Sequence, residues 1–148
     1  MGAVGACGPL CGNGKLNFSN AHINPSSYTC PAGSNNHDYD IKVSVDADNQ
    51  SSNNITIKSV ATNATVTKLV GNWGISVGTK SGAENLTFAP KSIGSGSKVT
   101  LNVTTPWSCS NAGTAGVTTY ADFALVMTVV TSSGTYKVNL PSHRMNMG

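Results

Sequence analysis

Residues 120–140 read YADFALVMTVVTSSGTYKVNL, and this stretch decides the fold class. Its first half alternates with a period of two, and both of the resulting faces are largely apolar: Phe123, Leu125, Met127 and Val129 on one, and Ala124, Val126, Thr128 and Val130 on the other. Such a pattern predicts a strand in the middle of a sheet. Residues 132–134 then supply turn chemistry, and the alternation resumes from Tyr136 to Leu140. The stretch is therefore predicted to form a central β-hairpin.

Shorter alternating stretches precede this hairpin, and no stretch has a helical period. They cover residues 41–45, 55–70, 73–77, 86–88 and 99–103. The phase shifts at Ser59, which indicates a bulge or bend. Short strands with turn residues every 8 to 12 positions or so favour an all-β, two-sheet antiparallel sandwich of about seven to eight strands. Immunoglobulin-like Greek-key wiring is the favoured topology, and a jelly roll or barrel is the alternative.

The amino-terminal part of the chain has a different character. Residues 1–37 are rich in Gly, Asn, Ser and Pro, and they contain one short alternating piece at residues 15–18. We predict an irregular leader that holds an edge strand or a donor strand for a neighbouring subunit. Residues 38–148 then form one immunoglobulin-like sandwich, which suits a chain of 148 residues.

Charge and hydropathy exclude several functions. Only 10% of the residues are charged, and the nine basic side chains are scattered, so no stripe could neutralise several phosphates and we expect no nucleic-acid partner. No apolar run reaches the roughly 18 to 20 residues that a membrane span needs. The chain has six acidic side chains. We therefore expect the melting temperature to change by only a few degrees between pH 7 and pH 3.

The four cysteines, Cys7, Cys11, Cys30 and Cys109, form an even set without a metal-binding C-x-x-C pair. Three pairings are possible. Sequence proximity favours Cys7 with Cys11, which leaves Cys30 with Cys109 across a long loop. Two disulfides indicate an oxidising compartment, so we predict an extracellular or cell-surface location.

Six asparagines occupy Asn-X-Ser/Thr acceptor sequences: Asn17, Asn49, Asn54, Asn63, Asn85 and Asn102. Asn24 is excluded because Pro25 follows it. Several of the six lie in predicted strands, where a glycan requires an outward-facing side chain. All six are candidate glycosylation sites of a glycoprotein.

The tail carries the metal candidate. His143, Met145 and Met147 share one face if residues 141–147 are extended, and imidazole and thioether ligands suit copper(I). Alternating methionines also suit a strand that faces the core, and this is the favoured interpretation. We therefore expect no resident metal and no cofactor.

Catalytic candidates are weak. The chain has three histidines, His22, His37 and His143, and all three have polar, turn-like neighbours in the sequence. The adjacent His37 and Asp38 could form an acid–base pair, but solvated surface is the favoured interpretation. Asp46 and Asp48 lack the further oxygen ligands and the glutamate of a calcium loop. We predict no catalytic residues and no enzymatic activity.

The two tryptophans are candidates for ligand binding. Trp73 and Trp107 could stack on sugar rings, as aromatic residues do in carbohydrate-binding modules. The alternative, which we favour, places Trp73 in the core and Trp107 over the disulfide of Cys109. A glycan is the candidate small ligand.

Three segments resemble a known class of protein. NITIKSV (54–60), FAPKSIGSGSKVTLNV (88–103) and YADFALVMTVVTSSGTY (120–136) resemble the immunoglobulin-like ectodomains of archaeal surface proteins, including type IV pilins and archaellum stator subunits, over roughly residues 38–140. The apolar amino-terminal helix of the pilins has no counterpart in this sequence. The resemblance implies an extracellular structural or adhesive protein, a subunit or ectodomain of a filament or envelope assembly. Such a protein associates with itself or with cell-envelope protein. The alternative is a small secreted binding module for copper or glycans.

Overall fold

The computed structural model describes residues 16–31, 37–71, 73–109 and 118–147. Within these ranges the chain forms strands and no helix: β1 (Leu16–Asn24), β2 (Ser27–Cys30), β3 (His37–Asn49), β4 (Ile55–Val70), β5 (Lys80–Ala83), β6 (Thr87–Ala89), β7 (Ser92–Ile93), β8 (Lys98–Cys109), β9 (Thr119–Thr131) and β10 (Gly134–Met147). One sheet has the order β1-β3-β8-β6. The other has the order β2-β10-β9-β4-β5, with β7 paired to β4. The two sheets pack face to face, so the predicted all-β sandwich is confirmed.

The predicted hairpin lies at the centre of the larger sheet. β9 pairs with β10 on one side and with β4 on the other, so its central position is confirmed. The face with Phe123 is buried, whereas the face with Ala124 is only partly buried. The turn falls at residues 132–133, and Gly134 follows with a φ of 134°, which a residue with a Cβ rarely adopts. The register between β4 and β9 shifts between Ile57 and Ser59, so the predicted bulge is also present.

The amino-terminal segment contains more regular structure than the sequence pattern indicates. β1 is the edge strand of the smaller sheet and pairs with β3 of its own chain, with Leu16 buried in the core. β2 lies parallel to the end of β10, an exception to the antiparallel pairing. The alternation of polar and apolar residues does not reveal β1 because the register of β1 shifts between Ser19 and His22. Its described residues therefore belong to the sandwich.

The stretch 73–77 is predicted to be a strand, and this prediction is wrong. Residues 73–79 form an irregular loop in which Trp73 and Ile75 are half-buried and Val77 is 61% exposed. The alternation arises because alternate side chains pack against the sandwich, not because the backbone joins a ladder. The described strands number ten instead of seven to eight because β2, β5, β6 and β7 have four residues or fewer each.

The core is divided into two clusters. The larger one contains most inward residues of β3, β4 and β8 together with Tyr136. The smaller one surrounds a disulfide between Cys30 and Cys109, both fully buried. This confirms the predicted long-range pairing, whereas Cys7 and Cys11 lie outside the described residues. Nowhere in the described ranges is there a helix with the length and hydropathy of a membrane span.

Candidate binding groove

A groove of about 610 Å³ opens between the two sheets. Inward residues of the larger sheet line it with apolar surface, among them Val66, Phe123 and Met145. The end of β8 and the loop of residues 73–79 contribute Trp107 and Trp73. A cleft of this volume with apolar walls and a few polar groups is typical of a small-ligand site.

The groove exists because the sheets have different lengths at this side. β6 pairs with β8 only from Asn102 to Thr104. From Thr105 to Cys109, no strand of the described residues pairs with β8 on the side away from β3. On the opposite sheet, β5 is the edge strand and pairs with β4. The groove therefore lies between two sheet edges.

Both tryptophans that the sequence singles out line this groove. Trp107 is held by edge contacts with Phe123 and His143, whose ring centroids lie 5.2 Å and 5.5 Å away. It also packs against the cluster that contains the disulfide, as the sequence predicts. Trp73 packs against the same cluster and is only half-buried. The two half-buried indoles thus line one groove.

A pair of threonines contributes hydroxyl groups to the groove. Thr62 and Thr105 are 4% and 1% exposed, and their Oγ1 atoms lie 2.9 Å apart. Each hydroxyl carries one hydrogen, and the pair shares a single hydrogen bond. Neither Oγ1 has another partner among the described side chains and backbone groups. One hydroxyl hydrogen consequently stays available to an acceptor in the groove.

Two carboxylates, Asp38 and Asp40, also line the groove. They are exposed, lie two residues apart on β3, and have no hydrogen bond or ion pair within the described part of the chain. Other acidic groups are engaged elsewhere: Asp122 forms an ion pair with Arg144 at 2.7 Å, and Asp46 accepts hydrogen bonds from two side chains. Both side chains alternate with the inward residues of β3, so their carboxylates lie on the outer face and not in the space between the sheets.

Behind Trp107, the His143 imidazole is buried and uses both of its nitrogens. Nδ1 donates to the Pro25 carbonyl oxygen at 3.0 Å, so Nε2, 2.8 Å from the Tyr39 hydroxyl, accepts from it. Burial lowers the pKa of His143 and raises the pKa of Tyr39. The imidazole is therefore neutral near pH 7, and it supports the wall of the groove.

The same contacts bear on the copper candidate. His143, Met145 and Met147 do share one face of β10, but this face points into the core and all three are buried. Both nitrogens of His143 already have partners. In the described ranges, no group of three or more His, Cys, Asp or Glu side chains could hold a metal. Nothing in this arrangement favours copper binding.

The remaining titratable pairs that the sequence singles out are His37 with Asp38 and Asp46 with Asp48. His37 and Asp38 are consecutive on β3, so their side chains point to opposite faces. The Nε2 atom of His37 is hydrogen-bonded to the Tyr28 hydroxyl at 2.7 Å. Asp46 and Asp48 share the outer face, where Asn20 and Thr100 bond the first and Gln50 the second. No nucleophile with an oriented base is formed by these groups.

The six acceptor asparagines differ in accessibility. Asn54, Asn63, Asn85 and Asn102 are exposed, and Asn17 is half-buried. Asn49 is fully buried, and its Nδ2 donates to the carbonyl oxygens of Asn53, Ile93 and Gly94. The folded chain therefore does not offer Asn49 for glycosylation, because the amide nitrogen that would carry the sugar already holds the β3 end in place.

Comparisons with known proteins add only general fold likenesses. No family model and no curated protein matches the chain. Among solved structures, the X-ray structure of structural genomics target SoR45 aligns with a TM-score of 0.47 and 9% identity, over 88% of this chain and 86% of that one. The DNA glycosylase AlkC of Pseudomonas fluorescens, bound to DNA containing an abasic site analogue, aligns with a TM-score of 0.44 and 10% identity. That match covers 89% of this chain but 30% of the glycosylase.

A PapD-like domain of human CEP192 aligns with a TM-score of 0.33 and 10% identity, over 89% of this chain and 82% of that domain. Scores and identities this low carry no argument about function. The class defined by fold and site is a disulfide-bonded β-sandwich with a groove at its side. The resemblance to archaeal surface ectodomains stays a prediction.

Proposed function

We propose that this chain is an extracellular, non-enzymatic adhesive protein that binds a glycan in the groove between its sheets. The observation that carries the proposal is the meeting of Trp73, Trp107 and the Thr62–Thr105 pair in one cleft. Sugar rings present apolar faces that stack on indoles and hydroxyls that need hydrogen-bond partners. The groove supplies both kinds of surface.

The disulfide supports the proposed extracellular location. Cys30 and Cys109 are buried and bonded, and structural disulfides persist mainly in oxidising compartments. The exposed asparagines of the acceptor sequences are compatible with a glycoprotein at the cell surface. The polar, weakly charged surface also suits contact with neutral envelope polymers.

Self-association belongs to the same proposal. The β8 edge from Thr105 to Cys109 has no partner strand on its outer side among the described residues, and such an edge can accept a strand from another chain. β1 is used within its own sheet. Its pairing with β3 is an argument against residues 16–24 as the donor segment.

A glycan array followed by fluorescence titration tests the proposal. The full chain should bind at least one class of oligosaccharide and change its tryptophan emission on binding. Trp73→Ala should weaken binding roughly 2- to 12-fold, since an aromatic contact contributes about 0.5–1.5 kcal/mol. Because Trp73 lies half-buried on a loop, this variant should keep the fold, which circular dichroism verifies.

Two further variants sharpen the result. Tyr120→Ala removes an aromatic ring on the outer face of β9 and should leave affinity unchanged. Thr62→Val with Thr105→Val keeps the shape of the groove floor while removing both hydroxyls, and it should weaken binding by a similar factor to the loss of Trp73. The proposal is wrong if the array shows no binding, or if Trp73→Ala binds like the parent.

A further inference from the structure

The threonine pair at the floor of the groove carries an inference about the sugar itself, which rests on the proposed function. Thr62 on β4 and Thr105 on β8 both point inward, so their hydroxyl groups meet between the two sheets. The two residues are only 4% and 1% exposed. A sugar ring is too broad to lie against hydroxyls at this depth, so a narrow substituent that projects from the ring has to reach them.

The hydrogen-bonding state of this pair defines what the substituent must carry. The pair holds two hydroxyl hydrogens and forms one hydrogen bond, so one hydrogen has no acceptor among the described groups. A buried donor without an acceptor costs free energy, because it has lost its hydrogen bond to water. A ligand group that ends in a carbonyl oxygen removes this cost.

The surroundings of the pair are apolar and uncharged. Ala64 follows Thr62 on the inward face of β4, and Trp107 follows Thr105 on the inward face of β8. Among the described residues, no Lys, Arg, His or Glu lines the groove, and the two aspartates at its edge lie on the outer face of β3. A methyl group gains by burial here, whereas a charged group would lose its hydration without an ion-pair partner.

We infer that the groove selects glycans of N-acetylated amino sugars over glycans with a free amino group or a hydroxyl at the same carbon. The acetyl carbonyl oxygen accepts the remaining hydrogen of the Thr62–Thr105 pair, and the acetyl methyl group packs against Ala64. The sugar ring lies against the tryptophans, and the amide N–H stays level with the ring, where water accepts from it. Envelope polymers that contain N-acetylated amino sugars are the corresponding class of ligand.

The same two strands provide a matched control. Thr65 on β4 and Thr104 on β8 alternate with inward residues, so their side chains lie on the outer faces of the two sheets. Neither lines the groove. Replacing either pair of threonines by valine removes two hydroxyl groups from the same two strands, so any difference between the two double variants reports the position of the hydroxyls.

The experiment measures affinity by titration of the full chain with β-1,4-linked tetramers of N-acetylglucosamine, glucosamine and glucose. The N-acetylated tetramer should bind on the order of tenfold more tightly than the glucose tetramer, because it adds one buried methyl group and one net hydrogen bond. The glucosamine tetramer should bind at least as weakly as the glucose tetramer, since its protonated amines lose hydration. Thr62→Val with Thr105→Val should reduce the preference for the N-acetylated form roughly fivefold. Thr65→Val with Thr104→Val should retain the full preference.

A third double variant guards against an effect of folding. Thr62→Ser with Thr105→Ser keeps both hydroxyl groups and should keep the preference, and circular dichroism compares the fold of all variants with that of the parent. Loss of the preference in this variant, with the fold retained, would contradict the role given to the hydroxyls.

Equal or tighter binding of the glucose or glucosamine tetramer by the parent would overturn the inference and leave the proposed function intact. An unchanged preference in Thr62→Val with Thr105→Val, or an equal loss in the outer-face control, would also overturn it. Absence of binding to all three tetramers and to every other glycan tested would overturn the inference and the proposed function together.

Discussion

Removal of the buried Cys30–Cys109 disulfide should lower the stability of the domain more than substitution of an exposed side chain does. The bond joins residues 79 positions apart in the sequence. The chain-entropy relation for a closed loop of this length gives about 4.5 kcal/mol at 25 °C. Both cysteines are 0% exposed, so replacement by alanine also removes buried sulfur and acts in the same direction.

The expected shift in melting temperature follows from the size of the chain. Unfolding entropy near 60 °C is about 2.1 cal/mol/K per residue, or roughly 0.3 kcal/mol/K for 148 residues. A loss of about 4.5 kcal/mol therefore lowers the melting temperature by about 14 °C. Scanning calorimetry on Cys30→Ala with Cys109→Ala measures this shift directly.

The background of this experiment matters because two further cysteines could exchange with the first pair. Both proteins should therefore carry Cys7→Ala and Cys11→Ala, so that the Cys30–Cys109 bond is the difference between them. A melting temperature within about 5 °C of the bonded protein would refute the reasoning. It would mean that the unfolded chain is already restricted, and that closing the loop removes little entropy.

Two remaining predictions concern pH and assembly. Burial holds the pKa of His143 below its usual value, so as the pH falls the unfolded chain binds a proton before the folded chain does. The contribution of His143 to stability is therefore fully present above about pH 6.5. The free energy of unfolding then falls by up to about 1.4 kcal/mol per pH unit as the pH drops towards the folded pKa. Urea unfolding at several pH values should show this pH dependence of the free energy of unfolding in the control His22→Gln, where the changed residue is exposed. His143→Gln should show a weaker pH dependence. Equal pH dependence in both variants would contradict the assignment to His143. For assembly, Ser108→Lys on the open part of β8 should reduce any self-association seen by sedimentation, because edge lysines block strand addition. Asn102→Lys, where β6 covers the strand, should leave it unchanged, and the same effect from both would refute strand addition at this edge.

The prediction of acid tolerance is refined by these contacts. Asp122 has a lowered pKa because Arg144 donates hydrogen bonds to it. The contribution of Asp122 to folding stability is therefore lost only as the pH falls below the usual carboxyl range. Its ion pair is largely at the surface and contributes little. The loss of stability that is linked to His143 instead begins at higher pH. Any acid-induced loss should therefore begin near the histidine range, which the count of carboxylates alone does not indicate.

Several features of the structure could be predicted because they depend on local pattern. The hairpin of β9 and β10 follows from two-residue periodicity and turn chemistry between Thr131 and Gly134. The bulge at Ser59 follows from a phase change in the same kind of pattern. The Cys30–Cys109 bond follows from the proximity of Cys7 to Cys11 in the sequence, because a favoured local pair leaves one long-range pair.

Other features were decided only by the tertiary structure, because they depend on which surfaces meet. β1 shows little alternation, since a register shift between Ser19 and His22 interrupts it, yet β1 pairs with β3 along most of its length. Asn49 looks like any other acceptor asparagine until the fold places three carbonyl oxygens around its amide. The alternation of Trp73 and Ile75 correctly indicates that these side chains pack against the sandwich, but the strand predicted from it is absent, because residues 73–79 form a loop.

The groove is the clearest case of a site that no single segment contains. Its residues come from β3, β4, β5, β8, β9, β10 and the loop of residues 73–79. The sequence by itself determined that this chain is an all-β sandwich with a long-range disulfide, because periodicity and residue type are local properties. Only the folded sheets decided that both tryptophans and the threonine pair share one cleft. That cleft exists because β6 pairs with β8 only from Asn102 to Thr104 and leaves the last residues of β8 uncovered.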